Sequence, residues 1–253
     1  MQTSPPKIVA IIPARYHSNR FEGKPLAPIM GRPMIQHVVE RARQVELLSR
    51  VVVATDDKRI AEAVHAFGGE VVLTRPDHAT GTDRLAEAAS LIDISEQDII
   101  VNIQGDQPLF PAEIVTQVAG PMLEDPSLPM VTLIYKIVRP EEIDDPNHVK
   151  TVFDRHGNAL YFSRAPIPFQ RNPEESAKPT YYKHLGFYAY RKGFLLTFVG
   201  LPEGEWERFE KLEQLRALEY GYRIRVILTD HDSIEVDTPQ DIERVEEVLA
   251  GRV

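Results

Sequence analysis

The chain has 253 residues, 43% of them hydrophobic and 26% charged, which is enough for one large α/β domain with its own core. A net charge of −9 disfavours nucleic acid as a partner, and the lack of cysteine excludes disulfides, thiolate metal sites and a thiol nucleophile. The opening MQTSPPK does not read as a signal peptide, and apolar runs of about five residues are far too short for a membrane span, so a cytoplasmic protein with no membrane partner is expected.

The apolar run at 7–12 (KIVAII), stopped by Pro13, predicts a strand buried on both faces. An amphipathic helix is expected over 33–44, with Pro33 in its first turn and Met34, Ile35, Val38, Val39 and Ala42 on one stripe. The pattern continues with a strand at 50–54, a helix at 58–67 stopped by Gly68-Gly69, and a strand at 70–73. A helix over 83–92 capped by Asp83, a strand at 98–103, a helix at 111–123 and a strand at 130–137 follow. This alternation predicts an α/β fold with a doubly wound, mostly parallel sheet. Near residue 150 the rhythm breaks into a hairpin (151–153 and 159–163 around a turn-rich 154–158), a Pro-containing loop and a long aromatic strand at 181–190. The segment 150–191 reads as an antiparallel insertion within a single domain spanning 1–253, which closes with a helix at 205–220, a strand at 223–228 and a helix at 239–249.

Three places carry candidate chemistry. Between Pro13 and Pro33 lies a long aperiodic connection with Arg15, Arg20, Lys24 and Arg32 and one acid, Glu22, at the carboxyl end of the first strand, where open α/β sheets bind ligands. Such a loop can supply the charges and N–H donors a triphosphate needs, although it has neither of the familiar glycine-rich phosphate signatures; a solvated basic loop has the same charge pattern. Gln104-Gly105-Asp106 follows the fourth strand, where a glycine admits close backbone approach and a carboxylate can hold a metal; an Asx turn explains the same residues. Asp237 precedes Thr238-Pro239-Gln240-Asp241, a capping box that needs no further role. If Asp106 and Asp237 face one cleft beside the basic loop, they match the one or two carboxylates plus phosphates that usually hold magnesium. The eight histidines show no metal spacing, and no G-x-S-x-G elbow is present.

Seven segments in order (IIPARYHSNRFEGKPL, TRPDHATGTDRLAE, VNIQGDQP, ALYFSRAPIP, KHLGFYAYR, LEQLRALEYG and VDTPQDIERV) resemble the 3-deoxy-manno-octulosonate cytidylyltransferase family over nearly the whole chain. The resemblance implies a Rossmann-like nucleotidyltransferase fold with an inserted dimerisation segment, and a homodimer. It implies that CTP and 3-deoxy-manno-octulosonate (KDO) react to CMP-KDO and pyrophosphate, for lipopolysaccharide synthesis, with Mg2+ as cofactor. By position, Arg15 and Lys24 match triphosphate-holding residues, with Ala14 and Ser18 in the same loop. Arg75, Thr80 and Gly81 match the segment against the cytosine, and Gln104 and Asp106 the QGD motif that serves nucleotide and sugar. Asp106 and Asp237 match the metal ligands, and Arg164, His184 and Tyr188 match positions lining the sugar pocket. Glu210 and Gln214, read as one helix face, match residues meeting the sugar hydroxyls. The chain departs from the family at Asn19, Phe21 and Glu22, at Gln107 where glutamate is common, and at Glu235 where glycine is usual. These departures leave the sugar open between KDO, its 8-amino analogue and a sialic acid. Two further alternatives are another nucleotidyltransferase and a non-enzymatic nucleotide-binding module.

Overall fold

The computed structural model describes residues 5–17, 21–172, 174, 176, 178–232 and 235–251. Its strands are β1 (Ile8–Ala14), β2 (Pro28–Ile29), β3 (Arg32–Pro33), β4 (Arg50–Thr55), β5 (Glu70–Leu73), β6 (Ile99–Asn102), β7 (Met130–Lys136), β8 (Lys150–Phe153), β9 (Ala159–Ser163), β10 (Tyr182–Arg191) and β11 (Ile224–Thr229). The helices are α1 (Met34–Arg43), α2 (Lys58–Ala66), α3 (Gly81–Leu91), α4 (Ala112–Glu124), α5 (Glu141–Asp144), α6 (Lys192–Val199), α7 (Glu205–Glu210), α8 (Leu215–Glu219) and α9 (Pro239–Leu249).

β1 is apolar throughout because both its faces are covered. Ile8, Ala10, Ile12 and Ala14 pack into the layer built by α1, α2 and α4, whereas Val9 and Ile11 pack into the layer built by α3, α6 and α8. The main sheet runs β11-β7-β10-β6-β1-β4-β5. β1 is parallel to β4 and β6, β4 to β5, and β7 to β11; β10 is antiparallel to both of its neighbours, β6 and β7. The antiparallel segment expected after residue 150 is therefore continuous with the sheet: β10 fills its middle, and the β8–β9 hairpin attaches to it at Lys183–Lys150. The chain leaves β1 for β4 on one side and returns to β6 on the other, so a crevice opens at the carboxyl ends of β1 and β6.

A smaller apolar cluster returns the end of the chain to this crevice. Val236 and Val245 pack on Ile29 and Met34, and the Met30 amide donates to Glu246 Oε1 of α9 at 2.7 Å. The expected capping box forms, with Thr238 and Asp241 bonded reciprocally at the start of α9.

Two local expectations are corrected, and one helix was not expected. The cap of α3 is Thr80 rather than Asp83, which sits at the third helical position and bonds back to the Thr80 amide. The helix expected over 205–220 is two short helices, because Lys211 takes a left-handed conformation (φ 53°, ψ 47°) that ends α7. α6 went unread because its sequence, KGFLLTFV, is too uniformly apolar to show a helical stripe.

Candidate active site

A cavity of about 350 Å³ lies at the carboxyl ends of β1 and β6, lined among others by Ala14, Arg15, Lys24, Thr80, Gly81, Gln104 and Asp106. The long first connection folds over it through two devices. Gly23, at φ 71°, turns the loop back so that its amide donates to Tyr16 O at 2.8 Å, and the Tyr16 ring is covered by the Arg59 guanidinium 3.2 Å from its centre. Residues 28–33 then form the two-stranded β2–β3 hairpin, which the sequence reading left as loop. The QGD turn lies against β1: a Cβ on Gly105 would sit 3.0 Å from Pro13 O, a tight contact that any larger residue would relieve only by shifting the turn. Opposite, the first turn of α3 presents Thr80 and Gly81 to the cavity, and unpaired N–H groups at a helix start favour an anion. Nη2 of Arg15 is buried without a hydrogen-bond partner. Ser18 lies outside the described residues.

Lys24 joins this nucleotide-sized cavity to the acidic pair. Its ammonium donates to Asp106 Oδ2 at 2.6 Å, to Val236 O at 2.9 Å and to Asp237 Oδ1 at 3.4 Å. The two aspartates, 131 residues apart in sequence, are brought together because the Val236 amide donates to Asp106 O at 2.9 Å. Two carboxylates thus converge on a single cation, and their hard oxygens are the donors magnesium prefers. No cluster of three metal-ligating side chains occurs among the described residues. Glu235 stands beside the pair: the residue is exposed along the cleft, but protein crowds its carboxyl end, and with Asp106 and Asp237 nearby that carboxyl is pushed up to about 7.

On the other side of the aspartates a polar cavity of about 520 Å³ is lined by His184, Lys183, Asp232, Glu235 and Asp237, among others. Gly186, at φ 70°, lies within the stretch where β10 shifts register, and His184 and Tyr188 come together with ring centres 5.1 Å apart. Burial drives the His184 pKa down to about 3, so its ring is neutral at ordinary pH. Its tautomer follows from its partner. Thr132 Oγ1 donates to Phe187 O at 2.6 Å, so it accepts at 2.9 Å from Nε2–H of His184, leaving Nδ1 as a hydrogen-bond acceptor. The unfolded chain takes up this proton near pH 6.5, the folded one only near pH 3; stability is therefore lost as pH falls through that window, by up to about 1.4 kcal/mol per pH unit from this group. His184→Gln is expected to flatten the acid limb of a melting-temperature profile recorded from pH 7 to 4. Parallel profiles for variant and parent would contradict the neutral ring.

The sequence reading missed a buried polar group around Tyr188. Asn102, its cross-strand partner on β6, and Glu213 and Gln214 each hold a buried polar atom without a hydrogen-bond partner. The second oxygen of Glu213 accepts from Thr82 Oγ1, and burial raises its pKa. Such groups need partners, and a polyhydroxylated ligand carries them. The quoted LEQLR segment contained the signal, but a continuous helix picked Glu210 as the companion of Gln214.

Three expected residues turn elsewhere. Glu210 and Gln214 do not share a helix face, since the chain breaks at Lys211 between them. The Glu210 carboxylate instead accepts from Ser163 Oγ at 2.6 Å and from the Arg164 amide at 2.9 Å. The Arg164 guanidinium ties loops together, donating to the carbonyls of Glu210, Pro146 and Lys211. Arg75 stays outside the cleft, exposed beside Asp77 and Glu87, because its side chain leaves the β5–α3 turn on the outer side.

A family model described as cytidylyltransferase matches residues 9–224. A 3-deoxy-manno-octulosonate cytidylyltransferase of Syntrophus aciditrophicus is 60% identical over 246 residues, covering 97% of this chain and 98% of that protein. An 8-amino-3,8-dideoxy-manno-octulosonate cytidylyltransferase of Shewanella oneidensis is 52% identical, covering 96% and 98%. A solved structure of CMP:2-keto-3-deoxy-manno-octonic acid synthetase complexed with CTP superposes with a TM-score of 0.91 at 45% identity, covering 98% of this chain and all of that one.

Proposed function

The chain belongs to the 3-deoxy-manno-octulosonate cytidylyltransferase family, and on that premise we propose that it transfers CMP from CTP to the anomeric hydroxyl of KDO, releasing pyrophosphate. The observation that carries this reading is Lys24 bridging Asp106 and Asp237 at the seam between a phosphate-binding loop and a polar, sugar-sized cavity. CTP lies in the first cavity, with its triphosphate on Arg15, Lys24 and the start of α3 and its base towards Thr80 and Gly81. The sugar lies against His184, Tyr188, Glu213 and Gln214. Its anomeric oxygen then faces the α-phosphorus in line with the departing pyrophosphate, and no covalent enzyme intermediate is needed. Lys24 and Arg15 stabilise the charge that grows on the leaving group. His184 holds a sugar hydroxyl through Nδ1. Asp106 and Asp237 are the residues to hold Mg2+, which when bound polarises the α-phosphate and lowers the pKa of the attacking hydroxyl.

Pyrophosphate release with CTP, tested against KDO, 8-amino-KDO and N-acetylneuraminate with and without a chelator, checks this reading. Release with KDO that stops on chelation is expected. Release with another sugar alone would change the substrate, and release unaffected by chelation would remove the metal.

The reading extends to a cytoplasmic homodimer serving lipopolysaccharide synthesis. Among the described residues no helix is long and apolar enough to cross a membrane. Phe169, Phe209, Leu160 and Trp206 are exposed, and Tyr161 of β9 packs edge-on against Trp206; exposed apolar side chains of this kind are suited to a second copy. Sedimentation is expected to give a dimer at micromolar concentration and a monomer for Phe209→Glu; a monomeric parent protein would overturn the assembly.

A further inference from the structure

The structure joins Gln107, which follows the QGD turn, to Glu235 in the segment leading into α9. Gln107 Nε2 donates to Glu235 Oε1 at 2.8 Å across 128 positions of sequence. Gln107 is only 1% exposed, whereas Glu235 is exposed and lines the polar cavity together with His184 and Asp237. The nearby Lys183 ammonium is held by Glu142 at 3.1 Å and Asp232 at 2.9 Å. A carboxylate has about four lone-pair sites, so the bond from Gln107 leaves Glu235 with acceptor capacity towards the cavity.

We propose that Glu235, oriented by Gln107, is a sugar-binding residue that accepts a hydrogen bond from the polyol chain of the acidic sugar. A hydroxyl serves, and so does the ammonium of an amino analogue. This inference rests on the function proposed above, with the sugar in the cavity beside the aspartates. The competing role is mechanical: the pair would only fasten residues 235–237 to the QGD turn, next to the bond from the Val236 amide to Asp106 O.

Two variants separate these roles. Glu235→Gln keeps the shape and an oxygen for Gln107 but removes the charge. The double variant Gln107→Glu with Glu235→Gln restores a carboxylate to the pair on the buried side. With KDO and 8-amino-KDO as probes, Glu235→Gln is expected to raise KM for the sugar about tenfold, the worth of one charge-assisted bond, with KM for CTP, the magnesium requirement and the melting temperature little changed. The double variant is expected to keep the raised sugar KM. The inference is overturned if Glu235→Gln leaves the sugar KM within about twofold of wild type, if the loss falls equally on CTP or on magnesium, or if the double variant recovers wild-type KM. A wild-type enzyme inactive with both sugars would instead overturn the functional reading beneath it, before any variant is made.

Discussion

Asp106→Asn is expected to lower kcat by about a thousandfold or more while leaving the fold intact. The substitution is isosteric, and the backbone bond from the Val236 amide to the residue 106 carbonyl survives it. The cost falls on the charge. Asp106 is the carboxylate nearest to Lys24, at 2.6 Å, and is one of two that converge on a single cation at the reacting end of the cleft. On the proposal that this pair holds magnesium, the ion would lose a charged ligand that neither neutral Gln107 nor Glu235, bonded to it, replaces. Steady-state kinetics at saturating CTP, sugar and magnesium, with circular dichroism as the control for folding, tests this. Activity within tenfold of wild type would remove Asp106 from the metal site.

Lys24→Ala is expected to reduce kcat/KM for CTP by about a hundredfold to a thousandfold, with both KM and kcat affected. The ammonium does two things. It lies where the triphosphate loop meets the acidic pair, so it pairs with pyrophosphate oxygens as charge builds on them. It also neutralises Asp106 and Asp237 while holding Val236 O at 2.9 Å, so its loss leaves two carboxylates facing each other and loosens the attachment of the chain end. Lys24→Arg keeps the charge but changes its shape and reach, and is expected to recover only part of the loss. An alanine variant whose kcat/KM for CTP equals that of the parent would contradict both roles.

The parallel half of the fold was legible because its physics is local. Strands covered on both faces need continuous apolar runs, so residues 7–12, 50–54 and 98–103 announced β1, β4 and β6. The position of the first loop followed from the same rule, since ligands gather where such strands end. The resemblance then nominated residues, and the structure brings Ala14, Arg15, Lys24, Thr80, Gly81, Gln104 and Asp106 to one cavity and Asp237 to its rim. The remainder depends on relations that sequence spacing does not encode. Lys211 is not a glycine, so nothing marked the left-handed turn that separates Glu210 from Gln214 and brings Glu213 towards Thr82. Arg75 sits in a matching motif, yet its side chain turns to Glu87, about two helix turns beyond the cap. The bond between Gln107 and Glu235 joins two residues that each looked like an isolated departure.

The central claim is that the α-phosphoryl group of CTP moves to the sugar while the β- and γ-phosphates leave together. Its most direct test follows the label from [α-32P]CTP and [γ-32P]CTP through a reaction with KDO and magnesium. The account predicts α-label in the sugar nucleotide and γ-label in pyrophosphate, in equal amounts. Label from the α position in anything other than a CMP-sugar, or γ-label released as orthophosphate with CDP left behind, would contradict it.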